Sequence, residues 1–321
     1  MSEKTSEANV AVWVYAMRPR TLPLAIASIV MGSALAASRP PFGWEIMLLA
    51  ITTAVLLQIL SNLANDYGDW QHGADSSQRE GPQRAVQSGA ISSRKMLLAV
   101  GVSALLSALS GLALLWVSFG SQGALLIFVF VLVGAAAIVA AVGYTAGIRP
   151  YGYAGLGDLA VLIFFGWVAV MGTYFLQTKR LDWDILLPAT SCGLLAVAVL
   201  NINNIRDRRS DVLAGKHTIP VRLGLQPARF YHWFLLIAAV LLALAYVLLN
   251  YYSPWQFLFV LTVPLLIRNG MLVWRTSSPQ LLNPLLKQLS ITTLLFVLFF
   301  SLGQVLYCGG ADTPGAQQQI E

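Results

Sequence analysis

The stretch Glu45-Ile-Met-Leu-Leu-Ala-Ile-Thr-Thr-Ala-Val-Leu-Leu-Gln-Ile-Leu-Ser-Asn-Leu-Ala-Asn-Asp-Tyr-Gly-Asp69 passes without a break from an apolar run into a cluster of amides and acids, and Gly73-Ala-Asp75 extends that cluster. Residues 45–63 have the length that a helix rising 1.5 Å per residue needs to cross a hydrocarbon layer about 30 Å thick. At about 100° per residue, Asn62, Asp66 and Asp69 fall on one narrow arc of that helix. Asp75 points away from Asp66 on a continuous helix, and joins the group only if the chain turns at Gly73.

A second run, residues 185–205, ends the same way in Asn201-Ile-Asn-Asn-Ile-Arg-Asp-Arg-Arg-Ser-Asp211. Asn203, Asn204, Asp207 and Asp211 cover an arc of roughly 100°. Both clusters contain Asn-x-x-Asn (Asn62 and Asn65; Asn201 and Asn204), which suggests a duplicated four-helix unit.

Other apolar runs cover 21–37, 96–117, 124–144, 156–176, 230–249, 255–274 and 288–307. With 57% hydrophobic and 11% charged residues and a mean hydropathy of +0.69, the chain has too few charges to cover a soluble globule of 321 residues. The expected fold is an all-α membrane protein of about nine transmembrane helices, a pseudo-duplicated bundle around a central cavity. Pro23, Pro188 and Pro264 do not argue against spanning, because neighbouring helices satisfy the freed backbone groups. Residues 1–20 read as a cytoplasmic or interfacial segment, 21–307 as one transmembrane domain and 308–321 as an external polar tail. The start of the chain lacks the basic residues and short apolar core of a cleaved signal. Val10, Trp13, Val14 and Met17 at i, i+3, i+4 and i+7 fit either a short interfacial helix or a loose tail.

Placing the N-terminus in the cytoplasm puts all but three of the 20 Lys and Arg residues (Arg39, Lys179 and Arg180) on the cytoplasmic side. The positive-inside rule selects this topology, and both clusters then emerge on that face. The net charge of +6 is explained by the same topology and by anionic lipid headgroups, and the scattered bases form no nucleic-acid reading motif. Two cysteines and three histidines without metal-ligand spacing argue against a disulfide framework or structural zinc.

The two clusters hold five of the 14 acidic residues, and carboxylates gathered at a membrane face repel one another unless a cation compensates. Hard divalent ions take oxygen ligands, and Mg²⁺ binds through one or two carboxylates together with substrate phosphates and waters. Facing clusters therefore suit Mg²⁺ ions around a diphosphate. Arg84 and Lys216 follow the first and second cluster and are placed to contact phosphate oxygens, although topology alone would also put bases there. A secondary transporter is the main rival reading, but transporter sites lie near the bilayer midplane rather than at helix ends on one face.

At these residues the chain resembles the UbiA superfamily of intramembrane prenyltransferases. Arg18-Pro-Arg-Thr-Leu-Pro23, Asn65-Asp-Tyr-Gly-Asp69, Gly73-Ala-Asp75, Tyr144-Thr-Ala-Gly147, Gly155-Leu-Gly-Asp158 and Gly215-Lys-His-Thr218 are similar to the branch that prenylates 1,4-dihydroxy-2-naphthoate. The longer spacing from Asp69 to Asp75 favours that branch over relatives using 4-hydroxybenzoate. The resemblance implies a polyprenyl diphosphate donor, Mg²⁺, loss of CO₂ and diphosphate, and release of a demethylmenaquinol. It carries metal and diphosphate binding onto Asn65, Asp69, Asp75, Asn203, Asp207 and Asp211, with Asn204 beside them and Asp66 secondary.

Tyr144, Tyr151 and Tyr153 border one cytoplasmic loop, where an aromatic face can stabilise a cation by about 0.5–2 kcal/mol or serve as an interfacial anchor. Tyr144 is the candidate for a direct catalytic role. Asp158 is open to three readings: a partner of Arg149, an acceptor of an aromatic hydroxyl proton, or a polar helix start. Phe164, Phe165 and Trp167 read as lipid-facing in preference to lining a chamber.

Overall fold

Apolar runs of this length leave the backbone no partner in lipid except itself, so they fold as helices. The computed structural model describes residues 9–37, 41–73, 81 and 83–306. Among these, nine spans are long and apolar enough to cross a membrane. The first begins with a short helix α1 (Val10–Ala16), breaks, and continues as α2 (Leu22–Ala37). Next come α3 (Trp44–Gln71), α4 (Ser93–Phe119), α5 (Ala124–Gly143), α6 (Gly157–Thr178) and α7 (Trp183–Leu213). A one-turn helix α8 (Ile219–Leu223) leads into α9 (Leu225–Leu249), α10 (Pro254–Arg275) and α11 (Pro279–Val305). The chain is a multi-pass helical membrane protein. Asp75, the loop arginine Arg79, residues 1–8 and the 308–321 tail lie outside the described residues.

Of the two readings of the N-terminus, a short helix and not a loose tail forms over residues 10–16, with a buried face other than the one expected. Asn9 caps it by accepting from the Ala11 amide at 3.4 Å. Val12, Trp13 and Ala16 pack inward while Val10 and Val14 are exposed. The break after α1 is fixed by Arg18, at φ 51°, followed by Pro19. Asn62 then ties the break to α3, its Nδ2 donating to Met17 O at 2.9 Å and to Thr21 Oγ1 at 3.0 Å.

Two of the apolar runs understate their helices. The helix over 45–63 continues to Gln71 and that over 185–205 to Leu213, so Asn62 to Asp69 and Asn201 to Asp211 sit within helical turns. α3 packs chiefly on α4, and α7 on both α6 and α9, its neighbours in chain order. The Asn-x-x-Asn elements behave alike. Asn62 and Asn201 each donate to a backbone carbonyl of a neighbouring segment, Asn201 to Ala228 O at 3.0 Å, while Asn65 and Asn204 line the central cavity.

Close helix crossings depend on small residues. A Cβ on Gly32 of α2 would stand 2.3 Å from Val170 O of α6, and one on Gly166 of α6 would stand 2.8 Å from Ala189 O of α7. Both crossings fall within residues Leu162–Met171 of α6, which are wound as a π-helix. The cavity-lining residues of α6 recur in pairs every four positions: Ala160-Val161, Phe164-Phe165, Val168-Ala169 and Gly172-Thr173. Four residues overshoot a full α turn by roughly 40° and fall short of a full π turn by roughly as much, so the mixture of α and π turns along α6 holds the pattern near one face. This corrects the reading of Phe164 and Phe165, which line the cavity. Trp167 lies outside the lining, with Nε1 donating to Thr190 Oγ1 at 3.0 Å.

The crossings predict a sharp contrast between glycines. Gly32→Leu or Gly166→Leu should cost about 1–3 kcal/mol or more by overpacking, read as a lowered melting temperature in detergent. Gly101→Ala, where an added Cβ meets nothing within 4 Å, should leave it unchanged.

Candidate active site

One stripe of α3, through Ala50, Leu57, Gln58, Ser61, Asn65 and Asp69, and one of α7, through Ala196, Leu200, Asn203, Asn204, Asp207 and Asp211, face a shared cavity of about 550 Å³. Each stripe is apolar in the membrane and turns to amide and carboxylate over its last turns. The cavity is therefore greasy along most of its length and polar at the end where α3 and α7 finish.

Asp69 is the centre of the polar end. It is 1% exposed and carries an ion pair with Arg84 and another with Lys216 at 2.9 Å. The Tyr153 hydroxyl donates to it at 2.9 Å. Lys216 also lies 3.7 Å from Asp211 and 4.7 Å from the centre of the Tyr153 ring. One ammonium thus joins the acid of α3 to the acid of α7. Arg84 additionally donates to Asn65 O, and Asn65 Oδ1 accepts from Thr145 Oγ1 at 2.9 Å.

Asp66 is turned elsewhere. Its two oxygens accept from the amides of Ala85 (3.1 Å) and Val86 (3.2 Å), and it is not part of the cavity lining. The sequence reading of Asp66 as a secondary metal ligand gives way to a positioning role: it pins the loop that delivers Arg84. The arc that groups it with Asp69 is correct, but the loop supplies two amide donors within reach, and a buried carboxylate needs them.

Sequence reasoning missed Arg206, which counted there only among the cytoplasmic-side bases. It is 2% exposed. Its Nε and Nη2 grip Asp207 at 2.7 and 2.6 Å, Nη2 also donates to Asn203 Oδ1 at 2.7 Å, and Nη1 reaches Asn283 Oδ1 of α11 at 2.7 Å. The available signal was its place between Asn203 and Asp207 on a helix whose polar face is inward. The loop between the clusters returns at Gly81, where a Cβ would sit 3.1 Å from Asp207 Oδ1.

The loop over 144–157 forms the roof. Its backbone at Thr145 lies on Gly68 of α3, where a Cβ would stand 2.5 Å from Thr145 C. The Tyr144 ring packs on Gly152 and Gly157, its hydroxyl 2.9 Å from a Cβ built at Gly157. Burial first, then the charges of Asp158, Asp211 and Asp69, raise the Tyr144 phenol above its ordinary range. Burial pushes Tyr151 up to about 12. Both shifts favour the neutral phenol. Asp158 is outside the lining and accepts from Tyr231 Oη at 3.3 Å, with no bond to Arg149 among those the structure gives it.

Among the described residues no three acids or His/Cys groups converge as a self-sufficient metal cluster. The donor set at the polar end is nonetheless all oxygen, from Asn65, Asp69, Asn203, Asn204, Asp207 and Asp211. That fits Mg²⁺ held by few carboxylates with phosphate oxygens completing its shell.

Residues 25–292 match the UbiA prenyltransferase family. The chain is 46% identical over 307 residues to 1,4-dihydroxy-2-naphthoate octaprenyltransferase of Haemophilus influenzae, across 95% of this chain and 99% of that protein. It is 48% identical over 297 residues to the Escherichia coli protein of the same name, across 91% and 96%. A solved UbiA homolog from Archaeoglobus fulgidus bound to GPP and Mg²⁺ superposes with a TM-score of 0.63 at 17% identity, over 92% of this chain and 99% of that one.

Removing Arg206 would leave the Asp207 charge buried without its guanidinium. Arg206→Met should cost about 3–5 kcal/mol in denaturant unfolding, and Asn283→Ala, which removes one hydrogen bond to the same group, about 1–3 kcal/mol.

Proposed function

The chain belongs to the UbiA prenyltransferase family, and from that premise we infer that it transfers a polyprenyl group from polyprenyl diphosphate to 1,4-dihydroxy-2-naphthoate, releasing CO₂, diphosphate and a demethylmenaquinol of menaquinone synthesis. The near full-length identity of 46–48% to relatives of that name supports the acceptor. The observation that carries the site is the paired polar end of one long apolar cavity, with Asp69 and Asp211 joined through Lys216. We place the N-terminus and both clusters on the cytoplasmic side of a bacterial inner membrane, as the distribution of Lys and Arg favours.

In this reading the prenyl tail lies along the apolar wall of α3, α5 and α6 and the diphosphate reaches the polar end. Asn65, Asp69, Asn203, Asn204, Asp207 and Asp211 hold Mg²⁺, to which Asp75 is added from the sequence pattern. When bound there, Mg²⁺ neutralises charge on the departing diphosphate. Lys216 and Arg84 donate to phosphate oxygens, and Arg206 keeps Asn203 and Asp207 aimed at the site.

The allylic C–O bond breaks with its electron pair leaving on the diphosphate, and positive charge develops on the prenyl carbon. The neutral ring of Tyr144 stands near the acids and supplies its face to that charge. The naphthoate carbon bearing the carboxylate attacks, forming the C–C bond. Loss of CO₂ returns its bonding pair to the ring and restores aromaticity. Charge balances without a proton leaving a ring carbon, so Asp158 is not required as a base there; we assign it to holding the Tyr231 hydroxyl. The apolar lining disfavours water beside the developing cation.

Purified protein with Mg²⁺, a polyprenyl diphosphate and dihydroxynaphthoate should yield prenylated quinol, CO₂ and pyrophosphate, detected by chromatography and mass spectrometry. Robust prenylation of 4-hydroxybenzoate with no naphthoate product would overturn the acceptor assignment. Exhaustive chelation should abolish turnover and Mg²⁺ should restore it; activity indifferent to chelation removes the metal from this account. Asp69→Asn and Asp207→Asn should each lower turnover on the order of 10²-fold or more while still eluting as folded protein. Wild-type rates in both would exclude these acids from the chemistry.

A further inference from the structure

The loop that follows α7 contains a second polar group on the cavity wall whose use is unexplained by the ion pairs. Thr218 is 5% exposed, and its hydroxyl has no hydrogen-bond partner in the protein. It occupies the N-cap position of α8, where a threonine oxygen ordinarily accepts from the backbone of the next turn, yet it makes no such bond. Thr218 lines the cavity with Lys216, two residues before it, which contacts both Asp69 and Asp211.

Its position is fixed by the neighbouring loop. The His217 amide donates to Tyr153 O at 2.8 Å, and Arg222 Nη2 to Ala154 O at 2.6 Å. Gly155, at φ 79°, lets the two loops touch, since a Cβ there would stand 2.3 Å from His217 O. The same stretch delivers the Tyr153 hydroxyl to Asp69. A hydroxyl buried without a partner is costly in a folded protein, and is retained where something outside the protein completes it.

We propose that Thr218 is a substrate-binding residue whose hydroxyl donates a hydrogen bond to an anionic oxygen of a substrate at the polar end of the cavity. Both substrates carry such oxygens, the diphosphate of the donor and the carboxylate of the acceptor. The proposal rests on the prenyl-transfer reading and adds to it a neutral donor beside the cationic ones. A neutral hydroxyl strengthens anion binding without adding charge to a face already held by Arg84, Lys216 and Arg206.

The test compares Thr218→Val, which keeps the shape and loses the hydroxyl, with Thr218→Ser, which keeps the hydroxyl. Full kinetics are measured against each substrate, with wild type in parallel. Thr218→Val should raise the KM of one substrate roughly tenfold, leave the other near wild type, and be rescued by Ser. A raised KM for polyprenyl diphosphate identifies the diphosphate as the partner, and a raised KM for dihydroxynaphthoate identifies the carboxylate. Unchanged KM values for both, or equal impairment in Val and Ser, would overturn the proposal. Should Thr218→Val fold poorly, the rise in melting temperature of Thr218→Ala and Thr218→Ser given by Mg²⁺ with pyrophosphate, and separately by dihydroxynaphthoate, decides the same question. One of the two rises should then be smaller in Ala alone, and matching rises for both ligands count against Thr218. An inactive wild type would instead strike at the prenyl-transfer reading itself.

Discussion

A carboxylate buried at the end of a membrane helix has to be neutralised, and the way Asp69 is neutralised organises the rest of this molecule. Arg84 reaches it from the loop after α3, Lys216 from the loop after α7, and Tyr153 from the roof. Desolvation makes each of those partners necessary, since an unpaired charge there would cost several kcal/mol. Three separate segments are therefore drawn to one atom group. Asp207 repeats the pattern through Arg206, whose fourth hydrogen bond recruits α11. The polar end is rigid because its charges are shared.

That sharing also fits the chemistry of family members, which have to gather a highly charged diphosphate beside a greasy tail. The stripes on α3 and α7 are single helical faces that change character along their length, so one face both lines the apolar length of the cavity and presents the amides and carboxylates at its end. No separate domain is needed for either task. The small residues at Gly32, Gly166 and Gly193 allow α2, α6 and α7 to approach one another closely.

Much of this was legible in the sequence. Length and apolarity identify the spans, because in lipid the helix is the only local solution. The periodicity of Asn65, Asp69, Asn203, Asp207 and Asp211 places them on inward faces, and the structure brings those five to the cavity. What the sequence did not disclose depends on segments distant in the chain. Asp66 shares the arc of Asp69 but meets the amides of Ala85 and Val86. Arg206 looks like one more basic residue until Asn283, far along the chain, comes to it. Phe164 and Phe165 are apolar like every lipid-facing neighbour, and only the winding of α6 turns them inward.

That winding has a consequence for how relatives of this chain are compared. A π turn holds roughly one residue more than an α turn. A relative with one residue fewer between 162 and 171 takes up the difference by tightening a π turn to an α turn, which leaves the side chains beyond it on the faces they occupy here. A one-residue gap in an alignment of this helix is then a local change of winding, and the cavity wall on either side of it keeps its residues.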